Sequence, residues 1–358
     1  MAHFYCIIIL LLVLSSTCQE RNTTSEANIR DENYKSTKYI AFLLVIVLLV
    51  YGFIINTLMA IVFHRRQDNH YSREFILIAT QIIICNFIAL FIQVIVVLPE
   101  ILRTKNNLFV NQTVWINYTF SSFNNFSLFA ILNFSFLLTV NRFVVLVLPK
   151  YNVFFESTRL YFLIILVWLL TLVLSAIDSH FCIKSFHISN LCWIRNCRKR
   201  LNSVFMGVHY IWSSFSPIAM FIMYIVMFYN IRCKRQLASK IHYNQDDLVI
   251  SMKRKLNMAR NNIHERSMLI QAALTCGIFE MNFIFFYLLP PFIIKIFDER
   301  AHIPLRIFIN CYIIFIYAAL PTVYFLCNNR ALKTLTFERS IRGVKRSAFQ
   351  RSTCQKKV

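Results

Sequence analysis

Seven stretches of this chain stay apolar for about 20 residues or more, the length a helix needs to cross a hydrocarbon core about 30 Å thick. They are residues 39–63, 75–98, 120–148, 160–181, 204–229, 268–292 and 305–327. The third is the longest and carries Asn124, Asn125 and Asn133, so its outer boundary is the least sharply marked. A shorter run, Phe4 to Leu14, is followed by the small residues Ser15, Ser16, Thr17 and Cys18. It is too short to span and has the layout of a secretory signal peptide. The pattern predicts an all-α membrane protein: a signal peptide over 1–19, an extracellular N-terminus over 20–38, a seven-transmembrane helix bundle over 39–327 and a basic cytoplasmic tail over 328–358.

Composition fits that architecture and excludes several others. Hydrophobic residues make up 58% of the 358 and charged ones 15%, with mean hydropathy +0.56, more apolar surface than a soluble domain of this size carries. The net charge of +22 would suit nucleic acid if it lay on one polar domain, but the basic residues sit in short blocks between the apolar runs. Membrane orientation explains them better than nucleic-acid binding does. Only Gly52, Gly207, Gly277 and Gly343 are glycines, so phosphate loops, dinucleotide turns and GxxxG seams are absent. No HExxH and no paired His and Asp set recurs across the runs, so neither catalysis, a metal nor a cofactor is expected.

Charge also sets a direction. With the N-terminus outside, the connections that fall in the cytoplasm hold 24 of the 38 lysines and arginines and the outer ones 14. That bias has the positive-inside sign. The sequons at Asn22, Asn111 and Asn117 all fall outside in this topology, where glycans are added. Of eleven cysteines, Cys182, Cys192 and Cys197 cluster around the outer connection between the fourth and fifth runs, which predicts one local disulfide among three pairings.

An arginine at the end of a greasy run marks a membrane boundary or a functional site, because a charge at the bilayer centre is costly. Asn141, Arg142 and Phe143 close the third run, with Pro149 and Tyr151 just beyond. With seven spans, this ending resembles that of rhodopsin-like G-protein-coupled receptors. More narrowly, NRF followed by LPKY and an aromatic FF is similar to the nematode serpentine chemoreceptors of class v or class x. The resemblance covers residues 38–335. Gly52 and Asn56 match the family's inner-half asparagine in the first span, Pro217 its fifth-span proline, and LPTVYFLCNNR its NPxxY ending, with Leu320 in place of asparagine before Pro321 and Tyr324. Asn141 stands where the wider family has an acid beside its arginine, and Asn86 where it usually has a sodium-binding aspartate. The chain also lacks a cysteine between Cys85 and Cys182, so the family's disulfide from the third span cannot form, and its sixth run lacks CWxP.

The resemblance implies a coupling switch of Asn141, Arg142, Phe143 and Tyr324, docking a heterotrimeric G-protein alpha subunit through the basic inner connection 232–266. Asn56, Asn86, Pro217 and Pro321 are expected to serve interior packing, since polar side chains join helices by hydrogen bonds in lipid. Glu280 is the acid that lies well inside a run, roughly 18 Å deep at about 1.5 Å per residue. Such a carboxylate must face the bundle interior. With Asp178 and His209 near the outer ends of their runs, it outlines a candidate ligand pocket. The segment RALKTLTF after Asn328 suits a short amphipathic helix on the inner face, in contact with membrane lipids.

The sequence thus predicts a chemosensory G-protein-coupled receptor in the plasma membrane, including that of sensory cilia, that binds an extracellular small molecule or peptide. It is not expected to be an enzyme. The rival is a multi-pass transporter or ligand-gated channel, which would need a hydrophilic path and usually internal repeats or broken helices. Seven spans without evident duplication count against it.

Overall fold

A helix satisfies its backbone hydrogen bonds within itself, so apolar runs that must sit in lipid fold as helices and not as open strands. A computed structural model describes residues 35–65, 72–102, 110–187, 192–197, 202–242, 270–271, 273–282, 284–285, 289–297 and 302–327. Among them, six helices are long and apolar enough to cross a membrane. They lie in Lys35–Arg65, in 73–102, and in Val110–Val147, Ser157–Phe181, Asn202–His242 and His302–Cys327. The run at 268–292 is described in part, as helix through 273–282 and again in Leu289–Phe297. These are numbered first to seventh span in chain order. The signal segment, Asn22 and the amphipathic segment after Asn328 lie outside the described residues.

Two helices outrun the apolar stretches that predict them. The third begins at Val110, ten residues before its run, and the fifth continues past residue 229 to His242. That continuation, YNIRCKRQLASKIH, contains Arg, Lys, Gln and Ala, residues that favour helix once the helix is already started. Lys234 on it donates to the Leu146 carbonyl at 3.0 Å, capping the end of the third helix. Pro149 then stops that helix and opens a 3-10 turn, Pro149–Phe155, whose Phe155 is buried.

The second span is not one uniform helix. Arg73–Ile92 gives way to a wide turn at Gln93–Val97, closed by the Leu98 N–H on the Gln93 carbonyl, and resumes as Leu98–Leu102. Pro99 has no N–H to give the Ile95 carbonyl, so the ordinary ladder would break here in any case.

The third and seventh spans form the centre, with 61% and 72% of their most apolar windows buried, against 28% and 22% for the first and fourth. The outer spans turn leucine, isoleucine and phenylalanine outward, where lipid covers them. Gly52 lets the first and second spans approach closely, since a Cβ there would lie 3.0 Å from a Leu90 methyl.

Between the fourth and fifth spans lies an antiparallel hairpin, Cys182–His187 with Cys192–Cys197. Its register sets Cys182 opposite Cys197, and Cys192 opposite His187. Cys182 is disulfide-bonded. Of the two other hairpin cysteines only Cys197 stands across from it; Cys192 is five rungs away, roughly 17 Å at about 3.4 Å per residue, beyond disulfide reach. The sequence reading had no strands here; the cysteine spacing, not an alternating pattern, was its only signal.

Candidate functional site

Pro321 interrupts the seventh helix and, lacking an N–H, leaves the carbonyl four residues earlier without its helical donor. That carbonyl belongs to Tyr317. Asn56 of the first span supplies the donor instead, at 3.0 Å, and gives its second amide proton to Gly52 of its own helix at 2.8 Å. Its Oδ1 accepts from Asn86 of the second span at 2.9 Å. Both asparagines are buried. One amide therefore joins three spans. Tyr324, one turn beyond Pro321, is fully buried edge-on against Phe63 of the first span at 5.6 Å.

A second polar set lies along the other side of Tyr317. Its hydroxyl donates to Asn124 Oδ1 at 3.0 Å, and Gln93 Nε2 donates to the same oxygen at 3.3 Å. The wide turn in the second span starts at Gln93, and Asn124 is one of the asparagines of the third run. Further inward, Asn133 donates to Thr171 of the fourth span at 2.9 Å and accepts from Trp212 of the fifth at 3.0 Å. The third span, polar for its depth, thus spends its amides on neighbours on either side.

At the Arg142 end of the bundle is a cavity of about 30 Å³, room for about two or three water molecules. Five spans contribute to its wall, among them Phe75, Thr139, Arg142, Tyr224, Gln271 and Leu320. Thr139 donates to the Ser135 carbonyl at 2.8 Å, so its oxygen is left to accept from the Tyr224 hydroxyl, also at 2.8 Å. The Arg142 guanidinium lies over the Phe75 ring, 4.2 Å from its centre. Asn141 beside it is buried, and neither atom of its amide has a hydrogen-bond partner among the described residues. Phe143 is half-buried against the core.

The three candidate pocket residues lie on three different helices, the fourth, fifth and sixth. Asp178 accepts a hydrogen bond from Asn125 of the third span. Glu280 is half-buried on the sixth, one turn beyond Cys276 of the cavity wall, and its Oε1 is buried with no hydrogen-bond partner among the described residues. His209 lies in the fifth helix, its side chain outside what is described.

Two sequons fall on the third helix. The side chain of Asn111 is outside the described residues. Asn117 clamps the hairpin, donating to the Phe186 carbonyl and accepting from the Phe186 N–H, each at 3.0 Å. The folded protein thus uses the amide a glycan would modify.

Sequence reasoning missed Phe75, Thr139, Tyr224, Gln93, Asn124 and Tyr317. For Tyr317 a signal exists: a proline inside a span names the carbonyl four residues earlier as one needing a donor. For Phe75, one of 35 phenylalanines, there is none.

Compared with known proteins, residues 46–328 match the family model described as serpentine type 7TM GPCR chemoreceptor Srx. No curated protein matches the chain.

Proposed function

Because the chain belongs to the Srx family of serpentine seven-transmembrane G-protein-coupled chemoreceptors, we propose that it binds an extracellular small molecule or short peptide and passes the signal to the alpha subunit of a heterotrimeric G protein at the Arg142 end of the bundle. The observation that carries this reading is the cavity there. Arg142 and Tyr224 line it with residues of the second, sixth and seventh spans, so a shift of any of these helix ends changes its shape. A ligand that binds one arrangement better than the other moves the equilibrium between them. Screening candidate ligands on cells that carry this chain and a promiscuous alpha subunit tests the reading. A response that needs both supports it, whereas a ligand-dependent current with no alpha subunit present favours a channel.

The receptor works with its N-terminus outside and its tail at the G protein, in the plasma membrane, including that of sensory cilia. The bias of 24 basic residues against 14 supports this direction. A tag at Val358 is expected to be inaccessible on intact cells, and glycosidase treatment to lower the mass of the mature protein through Asn22 or Asn111. Labelling of the tag from outside would overturn the topology.

Glu280, Asp178 and His209 form the ligand side of this proposal. Glu280→Gln keeps shape and most hydrogen bonds but removes the ionisable group. With Glu280 in contact with ligand, the glutamine variant reaches the surface normally and its dose response moves by tenfold or more, about 1.4 kcal/mol. An unshifted curve at normal expression removes Glu280 from the site.

A further inference from the structure

Ring-to-ring contacts continue from Arg142 across the bundle. Phe75, buried in the first turn of the second helix, faces the guanidinium on one side and meets Phe63 of the first span edge-on at 6.0 Å on the other. Phe63 in turn meets Tyr324 edge-on at 5.6 Å. The backbone under Phe75 is fixed as well, since its N–H donates to the Ser72 hydroxyl that caps the helix, at 3.4 Å. A cation over a ring face is attracted by the ring's quadrupole, more strongly where water is excluded, and aromatic pairs at these spacings prefer the edge-on arrangement.

We infer that Phe75 is a positioning residue for the switch: its ring, held by Phe63, keeps Arg142 of the third span and Tyr324 of the seventh in their resting arrangement. This rests on the proposed receptor function, in which Arg142 must leave the ring to meet a partner. Asn141 has no charge with which to hold the guanidinium, and its amide bonds to nothing among the described residues. The ring supplies a hold that an adjacent carboxylate would otherwise provide. A phenyl ring, unlike a carboxylate, holds the guanidinium without a titratable group of its own.

The test compares three substitutions in the full chain. Phe75→Leu and Phe75→Met keep apolar volume but remove the ring, and Phe75→Tyr keeps the ring in a cavity wall that already carries the Thr139 and Tyr224 hydroxyls. Two quantities are read: ligand-free G-protein output per receptor at the surface, and the rate at which phenylglyoxal modifies Arg142 in membranes, followed by mass spectrometry. Leu and Met are expected to raise both by threefold or more, with Tyr near the parent. Unchanged output and modification in Leu and Met overturn the inference. So does an equal rise in Tyr, which would make packing and not the ring the cause, and so does failure of both Leu and Met to reach the membrane while Tyr does. If the parent itself gives no G-protein output with any ligand, the receptor reading is what fails, and the modification rates still decide whether the ring holds Arg142.

Discussion

Replacing Arg142 with alanine is expected to abolish ligand-driven G-protein activation, at least tenfold in maximal response, while surface amount and ligand binding stay close to the parent's. The reason is where the side chain lies. Arg142 is half-buried in the wall of a small cavity at one end of the bundle, stacked on Phe75. The hydrogen bonds that join the helices, at Asn56, Asn86, Asn124 and Asn133, are made by other residues. Removing the guanidinium thus takes away the cation a partner would meet and leaves that network in place. Arg142→Lys keeps a charge but loses the planar fork and its stacking, so it should retain part of the response. Signalling by the alanine variant at the parent's level would show that the switch lies elsewhere.

Asn56→Ala is expected to produce the largest loss of stability, because it strands two groups at once. The Tyr317 carbonyl loses the donor that replaces the missing N–H of Pro321, and Asn86 Nδ2 loses its acceptor. At about 1–3 kcal/mol for each buried group left without a partner, and with hydrogen bonds between membrane helices averaging about 0.6 kcal/mol, the cost should be about 2–4 kcal/mol. It would be read as a lower thermal midpoint in detergent and less receptor at the surface. Pro321→Ala in the same chain returns a backbone N–H to position 321 and should recover part of the loss, leaving only Asn86 unpaired. Asn86→Ala alone should cost less than Asn56→Ala, since Tyr317 keeps its donor. If Asn56→Ala and Pro321→Ala add without recovery, Asn56 does not act through that carbonyl.

The spans were legible because a bilayer imposes one rule on every residue in it, and length with apolar content reports that rule directly. Arg142 and Tyr324 were legible for a different reason, as pieces of a motif at the ends of spans. What joined them was hidden. Phe63 and Phe75 have the same composition as their lipid-facing neighbours, and only the rotation of two helices turns them inward. The fifth helix ran past its apolar stretch because helix propensity does not stop where lipid does. The hairpin escaped notice because six-residue strands beside a disulfide need no alternating pattern to persist. Glu280 was found by its depth, but that its buried Oε1 has no hydrogen-bond partner among the described residues became visible only with the neighbouring spans in place.

The wide turn at Gln93–Val97 bears on how tightly the length of the second span is constrained. Below it, Ile78, Ala79, Ile82 and Ile83 are buried in the core, and above it Glu100 and Ile101 are buried too. Both ends are committed. In an ordinary helix each residue added or lost rotates everything beyond it by about 100°, which would swing Glu100 and Ile101 out of their places. A five-residue turn takes up one residue more than the usual ladder, so the two halves can keep their own faces. Losing one residue between Gln93 and Val97 would remove the wide turn and rotate the upper end of the span away from its contacts. The length of the span at this point is therefore set by buried contacts on both sides of the turn.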